Sequence, residues 1–428
     1  NGNLFVSGKT EITATGNTKQ RSDATAVTIG IIAAGSNTSK ASSNTNINAY
    51  LGNRVNAFGD ALTVSATGTD DNYADATSGS GGIISGASAT AETDTIGSTK
   101  AYIGNGTAAK DRSIVVSDFN LSSEHTSTFN ARTDSINASL VGGSGAYADN
   151  DVSYTVEASV GDNAVIKALA LDITSTNRIH KDWLPGGKYN VESGSGGLID
   201  APAAKSETDI SNVTRIGIGS NAELEVFGNR YSNPGALLIA GLNDVQAYDR
   251  AKLDSGGAIA IAKAESIIRN NTNNATLEIG PGASLTSVGD IDLSVRTRAD
   301  IQTNANVKTY GAAGAAEGKS ESRTVVNNSI TIGSDVSMLA YGDMNLRAGG
   351  DSSGNLNDFD ILANTDLWNK TVFPVETKPD ADAYLSQSDT ITLSAGFVLR
   401  YAGNMRLFTE LGDSNVKGYG VGKDLYRE

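Results

Sequence analysis

The sequence has no cysteine, two histidines, six prolines and few aromatic residues, which make up 6% of its 428 residues. Without cysteine the chain can form neither disulfide bonds nor thiolate metal sites. With two histidines, proton transfer near neutral pH would depend on carboxylates, lysine or tyrosine. No apolar run approaches the ~20 residues that span a bilayer as a helix, so the sequence predicts no membrane span.

Positive charge is also in short supply. The chain has 33 basic against 48 acidic residues and a formal net charge of −15, with no long block of either sign. Such a surface repels phosphate backbones and anionic lipid. We therefore expect no nucleic-acid partner.

Large side chains are too few for a conventional core, because 39% of the residues are hydrophobic and 48 are glycine. The many Thr, Ser, Asn, Asp and Val residues fit half-buried strands alternating with turns. Scarce proline fits an array of central strands, because proline removes a hydrogen bond from a β-ladder. The composition thus favours a β-structure packed with small residues.

One short motif recurs six times: an apolar residue, a glycine and a polar turn. The six occurrences are Leu51-Gly52, Ile103-Gly104, Val160-Gly161, Ile218-Gly219, Ile279-Gly280 and Ile332-Gly333. Their glycines are 52, 57, 58, 61 and 53 residues apart. A Gly-rich, small-apolar stretch precedes each of them, and a Gly-Asp turn with a short strand often follows, as at Gly59-Asp60 and Gly289-Asp290. The chain is a repeat array.

Short strands with Gly, Asn and Asp turns can build a propeller, a sandwich or a solenoid. Propeller blades carry aromatic signatures, and sandwiches need bulkier inward faces. We therefore predict an all-β, right-handed parallel β-solenoid, or β-helix, with excursion loops. With roughly 18 to 25 residues per coil, two or three coils would make one repeat, and roughly 20 coils would form a rod of about 100 Å.

The array is predicted over residues 1–349, with a continuing solenoid over 350–428. Two stretches break the pattern, 178–187 and 366–374, and each contains a Trp-to-Pro run. We predict that they are equivalent excursion loops. Their candidate contact residues are Trp183, His180, Lys181, Trp368 and Lys370.

These loops allow two functional interpretations. A Trp could stack on a sugar ring, and a carboxylate such as Asp182 beside Lys181 could act as a base. Two similar loops on one shaft instead favour lateral contact or carbohydrate binding over a single active site. We therefore predict no catalytic residue and no enzyme activity.

Acidic pairs raise the question of calcium. They are Asp70-Asp71, Asp149 with Asp151, Asp358 with Asp360, and Asp380 with Asp382. Calcium takes about six to eight oxygen ligands, and neither an EF-hand loop nor a nine-residue calcium-binding β-roll repeat occurs. We expect solvated turn carboxylates, with no metal site and no cofactor.

The repeats resemble a known family at residues 101–108 (AYIGNGTA) and 280–293 (GPGASLTSVGDIDL). These runs are similar to the repeats of very large bacterial exoproteins, the filamentous-haemagglutinin-like and haemagglutinin-repeat adhesins. The resemblance covers roughly residues 27–350. It implies a secreted, extracellular or cell-surface protein with a β-helical shaft that serves in adhesion, aggregation or surface coating.

The sequence therefore predicts a non-enzymatic structural or adhesive segment of a surface protein; the alternative is a polysaccharide-binding or polysaccharide-cleaving β-helix. The chain opens within a strand-turn-strand pattern without an initiator Met or a signal peptide, so we interpret it as part of a longer protein or a processed product. Open solenoid ends are exposed strand edges. We expect them to pair end to end, with neighbouring repeats or other copies, and we expect carbohydrate or a host or cell surface as further partners.

Overall fold

The computed structural model describes residues 2–228 and 235–424. Apart from one 3-10 turn at Pro185–Gly187, the regular structure of these residues is entirely β-strand. All pairings between the named strands are parallel. The fold is an all-β parallel β-solenoid, and the predicted fold class is confirmed.

Eight short strands form one sheet, which we call the base sheet. They are β1 (Gly2–Phe5), β4 (Val55–Phe58), β6 (Ile114–Val115), β8 (Val165–Ala168), β12 (Glu223–Val226), β14 (Ser284–Ser287), β16 (Ser337–Ala340) and β19 (Val398–Tyr401). Each begins one coil, so we number the coils one to eight by these strands.

The remaining thirteen strands form a second, much larger sheet. They are β2 (Lys9–Ile29), β3 (Ile32–Leu51), β5 (Ala61–Ile103), β7 (Asp118–Val160), β9 (Ala170–Lys181), β10 (Val191–Asp200), β11 (Ala203–Ile218), β13 (Leu237–Ile279), β15 (Ile291–Ile332), β17 (Met344–Ala348), β18 (Asp358–Leu393), β20 (Met405–Thr409) and β21 (Asp413–Asp424). Four of them have 42 or 43 residues, because they run out from the base, around a tip and back.

One sequence repeat makes one coil. Lys9 pairs with Ala61 on the next coil, and Val165 pairs with Glu223. The predicted coil of 18 to 25 residues is therefore wrong. The reason is that small and polar residues alternate without interruption along each arm, so the chain does not turn where a short strand would end. At about 4.8 Å per coil, eight coils stand about 35 Å tall, not 100 Å.

Each coil is flat, because its outgoing and return arms pack face to face. Across the interior, Thr297 donates a hydrogen bond to Asn328 (2.7 Å), and the hydroxyl oxygens of Thr303 and Ser322 lie 3.0 Å apart. Both pairs are centred on residues 312–313, which form the tip. An arm has about 20 residues, as in β2 and β3. At about 3.3 Å per residue an arm measures about 65 Å, so the molecule is a broad blade.

The residues that fill the interior change from base to tip. Near the base, large apolar side chains such as Phe119, Leu121 and Leu171 form the main core. Toward the tip the buried apolar residues are mainly alanine: Ala41, Ala74, Ala76, Ala89, Ala91, Ala131, Ala146 and Ala148. The buried residues next to the tip are polar, as at Ser80, Ser85 and Asn137. Small inward residues allow the two arms to pack closely over this part of the blade.

The recurring Gly-polar motif is the corner between the return arm and the base strand. A Cβ atom on Gly104 would lie 2.7 Å from the backbone nitrogen of Asn53 on the coil below, so a larger residue does not fit. The polar residue that follows the glycine caps the next corner. Asn53 accepts a hydrogen bond from the Asn105 amide (2.8 Å), Asn105 accepts one from Asp162 (3.0 Å), and Asp162 accepts one from Ser220 (2.7 Å). These side chains form a polar ladder along the stack.

Removal of residues 61–117 should leave a folded protein. This deletion takes out one coil and brings Asp118 to the register position of Ala61. We expect a cooperative thermal transition with a lower midpoint, because the stability of a repeat array is a sum over coils and their interfaces. Circular dichroism at increasing temperature would measure it.

The matched control removes residues 61–80, a segment of the length that the sequence predicted for a coil. It should abolish cooperative unfolding, because it shifts one arm against its neighbours. Two outcomes would contradict the one-coil repeat: cooperative unfolding of the variant that lacks residues 61–80, or loss of cooperative unfolding in the variant that lacks residues 61–117.

Candidate functional site

An excursion loop, residues 182–190, leaves the outgoing arm of coil four between β9 and β10. Lys181 pairs with Ala247 and Val191 with Ala251, so the loop occupies the place of three residues on coil five. The loop is tied down at both ends. Gln246 donates a hydrogen bond to Asp182 (2.9 Å), and the Arg250 amide donates one to the buried side chain of Asn190 (3.0 Å). The excursion predicted at 178–187 is therefore confirmed in part, because residues 178–181 belong to β9 and the loop extends to residue 190.

Trp183 lies against the outer face of coil five. Its ring stacks on Tyr248 with centroids 4.8 Å apart and planes at 17°. The Arg250 guanidinium lies 4.0 Å from the centroid of the Trp183 ring, in cation–π range. The Tyr248 hydroxyl donates to Asp300 (2.5 Å), and burial together with this carboxylate raises the pKa of Tyr248. Contacts with a neutral tyrosine and a cation thus hold Trp183 in place.

A groove of about 500 Å³ extends from this loop across the outer face. Its lining residues come from coils four to eight: Trp183, Tyr189, Arg250, Gln302, Thr303, Asn304, Asn306, Leu362, Asn364 and Tyr419. The register aligns four of them in one row across the coils, since Arg250 pairs with Asn304, Asn304 with Asn364, and Asn364 with Tyr419.

The lining combines three aromatic rings, four side-chain amides and one guanidinium, and it contains no carboxylate. Aromatic faces and a few placed polar groups are the usual composition of small-molecule sites. A side-chain amide can both donate and accept hydrogen bonds, so it can pair with two neighbouring hydroxyl groups of a sugar, which also donate and accept. The groove therefore has the chemistry to bind a sugar chain.

Of the predicted contact residues in this region, His180 and Lys181 lie on opposite faces of β9, because side chains alternate along a strand. His180 is half-buried on the outer face, level with Gln246. Lys181 points inward and is fully buried. Its predicted role as a contact residue is wrong, and the run 180–182 does not form one surface cluster.

Lys181 belongs to a buried polar group. Its ammonium bonds to Asp249, and the same carboxylate accepts hydrogen bonds from Ser206 and Ser266 (2.7 Å each). All four side chains are inaccessible to solvent. Burial lowers the pKa of Lys181, and the charge of Asp249 opposes that shift. The group ties the two arms and coils four and five together inside the blade.

Trp368 and Lys370 do not lie in an excursion loop. They are part of β18, where Trp368 pairs with Lys308 on one side and Lys423 on the other. The prediction of an equivalent loop at 366–374 is wrong, because the register continues unbroken to the tip at residues 372–373. Trp368 is nevertheless 41% exposed, and the Lys370 ammonium lies 3.7 Å from its ring. It is four residues from Asn364, about 13 Å along the strand, so it extends the aromatic surface beyond the groove.

The second excursion is residues 349–357, between β17 and β18. Asp351 organises it by accepting hydrogen bonds from the amides of Ser353 (3.0 Å) and Asn355 (2.9 Å) and from Arg296 (3.1 Å). This loop is not predicted by the sequence patterns described above. Its signal is the turn-forming run GGDSSG at 349–354.

Outside the groove, the carboxylates Asp149 and Asp151 line the outer face of the return arm. Burial, followed by the charges of Asp151, Glu207 and Glu92, raises the pKa of Asp149 to about 6. Asp70 instead points inward, with one carboxylate oxygen 3.0 Å from Nε2 of His125. Among the residues that the structure describes, no group of three or more acidic, histidine or cysteine side chains is arranged to hold a metal ion.

The groove residues that the sequence analysis missed come from coils that are distant in the chain. Arg250, Asn304, Asn364 and Tyr419 are each one repeat interval apart. This repeat interval is the sequence signal that could have identified them. It places the four residues side by side only when one sequence repeat makes one coil.

A comparison of the chain with protein-family models, with curated proteins and with solved structures finds no match. In residues 2–228 and 235–424, no helix is long and apolar enough to cross a membrane.

Substitution of Lys181 by Met should destabilise the protein strongly, because it leaves the Asp249 carboxylate buried without its partner. Loss of one member of a buried ion pair costs about 3–5 kcal/mol. Lys19→Met is the matched control, because Lys19 pairs with Asp71 on the surface, with side chains 76% and 45% exposed. Such pairs contribute about 0–1 kcal/mol. Equal denaturation midpoints for the two variants in urea would contradict the buried position of Lys181.

Proposed function

We propose that this chain is a structural and adhesive segment of a secreted bacterial surface protein. The observation that carries the proposal is the parallel ladder, which continues from coil one to coil eight in both sheets. A continuous ladder resists bending, because each coil bonds along its whole length to the next. The likeness of the repeats to those of haemagglutinin-repeat adhesins supports the same assignment.

The end coils support assembly along the stacking axis. Leu407 and Val416 on coil eight are 43% and 38% exposed, whereas their register partners on coil seven, Leu346 and Ile361, are fully buried. One further coil would cover both side chains and pair the open strand edges. Open edges of this kind associate with other strands unless they are blocked. We infer that copies of this chain pair end to end through the open edge of coil eight.

Electron microscopy of the purified chain at rising concentration tests this stacking. We expect columns of blades that share one axis. The double variant Leu407→Lys/Val416→Lys should remain as single blades, because two lysines on the open face would be buried by an incoming coil. Ile96→Lys is the matched control, since Ile96 is 46% exposed on the outer face of an arm. Wild-type blades that stay single at all concentrations would contradict end-to-end pairing.

A second function, carbohydrate binding, is favoured by the groove at Trp183. Its row of aromatic and amide side chains crosses coils four to eight, and Trp368 with Lys370 continues the surface toward the tip. An elongated, uncapped groove suits a polymer better than a small molecule. We propose that the outer face binds a polysaccharide without cleaving it.

Trp183→Ala should reduce affinity for a bound polysaccharide about tenfold or more, because the loss of roughly 1.4 kcal/mol of stacking corresponds to a factor of ten. A glycan array would find the ligand, and titration calorimetry would give the dissociation constant. Tyr50→Ala is the control, since Tyr50 stacks on Tyr102 (4.8 Å) and does not line the groove. Unchanged affinity in Trp183→Ala, or the same loss in Tyr50→Ala, would contradict a binding role for the groove.

A further inference from the structure

Each of the seven tips carries two adjacent apolar residues. They are Ile31-Ile32, Ile83-Ile84, Leu140-Val141, Leu198-Ile199, Ala258-Ile259, Ala312-Ala313 and Val372-Phe373. The second members pair in register from coil to coil. At about 4.8 Å per coil, they form a continuous row about 29 Å long, which we call the apolar ridge.

The ridge is open to solvent. In coils two to five, the exposed fraction of its large side chains lies between 37% and 54%. At both ends of the row it is higher, as for Ile32 (78%) and Phe373 (69%). The turn itself does not require these residues, because Gly, Asn, Asp and Ser reverse a chain without exposing apolar surface. Packing within one molecule therefore leaves the ridge unexplained.

The ridge is large enough for a stable interface. Eleven of its fourteen side chains are Ile, Leu, Val or Phe. If each exposes on the order of 100 Å², the ridge exposes on the order of 1,100 Å², whereas the largest apolar patch of a typical monomer measures about 300–600 Å². A standard protein–protein interface buries about 800 Å² per partner.

The ridge is also free of charge along coils one to six, whereas at coil seven Lys370 and Glu376 lie two and three positions from the pair. In coils one to six, the only charged residue within three positions of a ridge pair is Asp200, which is buried and accepts a hydrogen bond from Ser255 (2.6 Å). The chain as a whole carries 81 charged side chains, 33 basic and 48 acidic. An uncharged strip along one edge is therefore a distinct feature of this surface.

We propose that the apolar ridge is a lateral interface between two copies of this chain, packed ridge against ridge. Two copies of net charge −15 repel each other over most of their surface, and the uncharged edge is where that repulsion is weakest. Both ridges have the same spacing of about 4.8 Å, so the side chains of one can fit between those of the other. A lipid surface fits less well, because membrane-binding apolar faces are flanked by Lys and Arg.

The position of each coil sets the geometry of the pair. Coil four is the middle of the seven tips, so Ile199 lies beside its own equivalent whether the copies run parallel or antiparallel. Ile32 meets its own equivalent only in a parallel pair, because in an antiparallel pair it faces Phe373. This inference is independent of the groove and of end-to-end stacking.

Cysteine cross-linking tests the interface directly, because the chain has no cysteine of its own. Ile199→Cys and the control Ile96→Cys place one thiol each at side chains of nearly equal exposure, 44% and 46%. Both are made in the Leu407→Lys/Val416→Lys background, which suppresses stacking through the coil-eight end. Under mild oxidation, we expect Ile199→Cys to become a disulfide-linked dimer and Ile96→Cys to remain monomeric. Ile32→Cys then reports the relative direction of the copies.

Sedimentation velocity in the same background provides the second readout. We expect a dimer that is lost in Ile84→Lys/Ile199→Lys and retained in Ile96→Lys, with circular dichroism showing that all three fold. A monomer at every concentration, with equal cross-linking at both cysteine positions, overturns the proposal. Phosphatidylcholine vesicles provide the last test. If they bind monomers, and the Ile84→Lys/Ile199→Lys variant no longer binds, the ridge is a lipid-binding surface and the proposed dimer interface is overturned as well.

Discussion

The in-register stacking of one coil on the next is the constraint on which the rest of the structure depends. Every arm, corner and base strand must follow the path of its neighbours, because its backbone hydrogen bonds are made to them. Longer insertions are tolerated where the chain can leave the stack and return, as at 182–190 and 349–357, and single extra residues form bulges within a strand, as at Val375. The same constraint explains the glycine corners, where a side chain at Gly104 would collide with the corner below.

Stacking also determines how polar residues are buried. Asn72, in the interior, donates hydrogen bonds to Ser43 on coil one (2.8 Å) and to Thr95 on the opposite arm of its own coil (2.7 Å). The Lys181–Asp249 group does the same between coils four and five. Each polar contact is met only in one register, and a slip by one residue would turn the inward side chains outward. A narrow interior of Ala, Ser, Thr and Asn thus specifies its alignment as well as its packing.

The sequence predicted the features that depend on neighbouring residues in the chain. It did not predict the features that depend on which residues pair between coils. The corner at Gly52 and the strand after Gly59-Asp60 follow from residues that are neighbours in the chain, and both are present. The coil length was mispredicted because an arm of alternating small residues contains no signal for how far it runs. Trp183 and Trp368 have similar flanking sequences. Trp368 stays in the stack, where it pairs with Lys308 and Lys423, whereas Trp183 lies in a loop that has no paired strand on either side. The groove combines residues from coils four to eight, so no short segment could predict it.

The one-coil repeat determines how the height of the stack grows with chain length. Each additional 52 to 61 residues raise the stack by only about 4.8 Å, whereas coils of about 20 residues would extend nearly three times as far for the same number of residues. The chain is therefore poorly suited to bridging distance and well suited to presenting area. A protein that continued this architecture for several thousand residues would be a flat ribbon about 65 Å wide, with two broad faces and a thin hydrophobic edge.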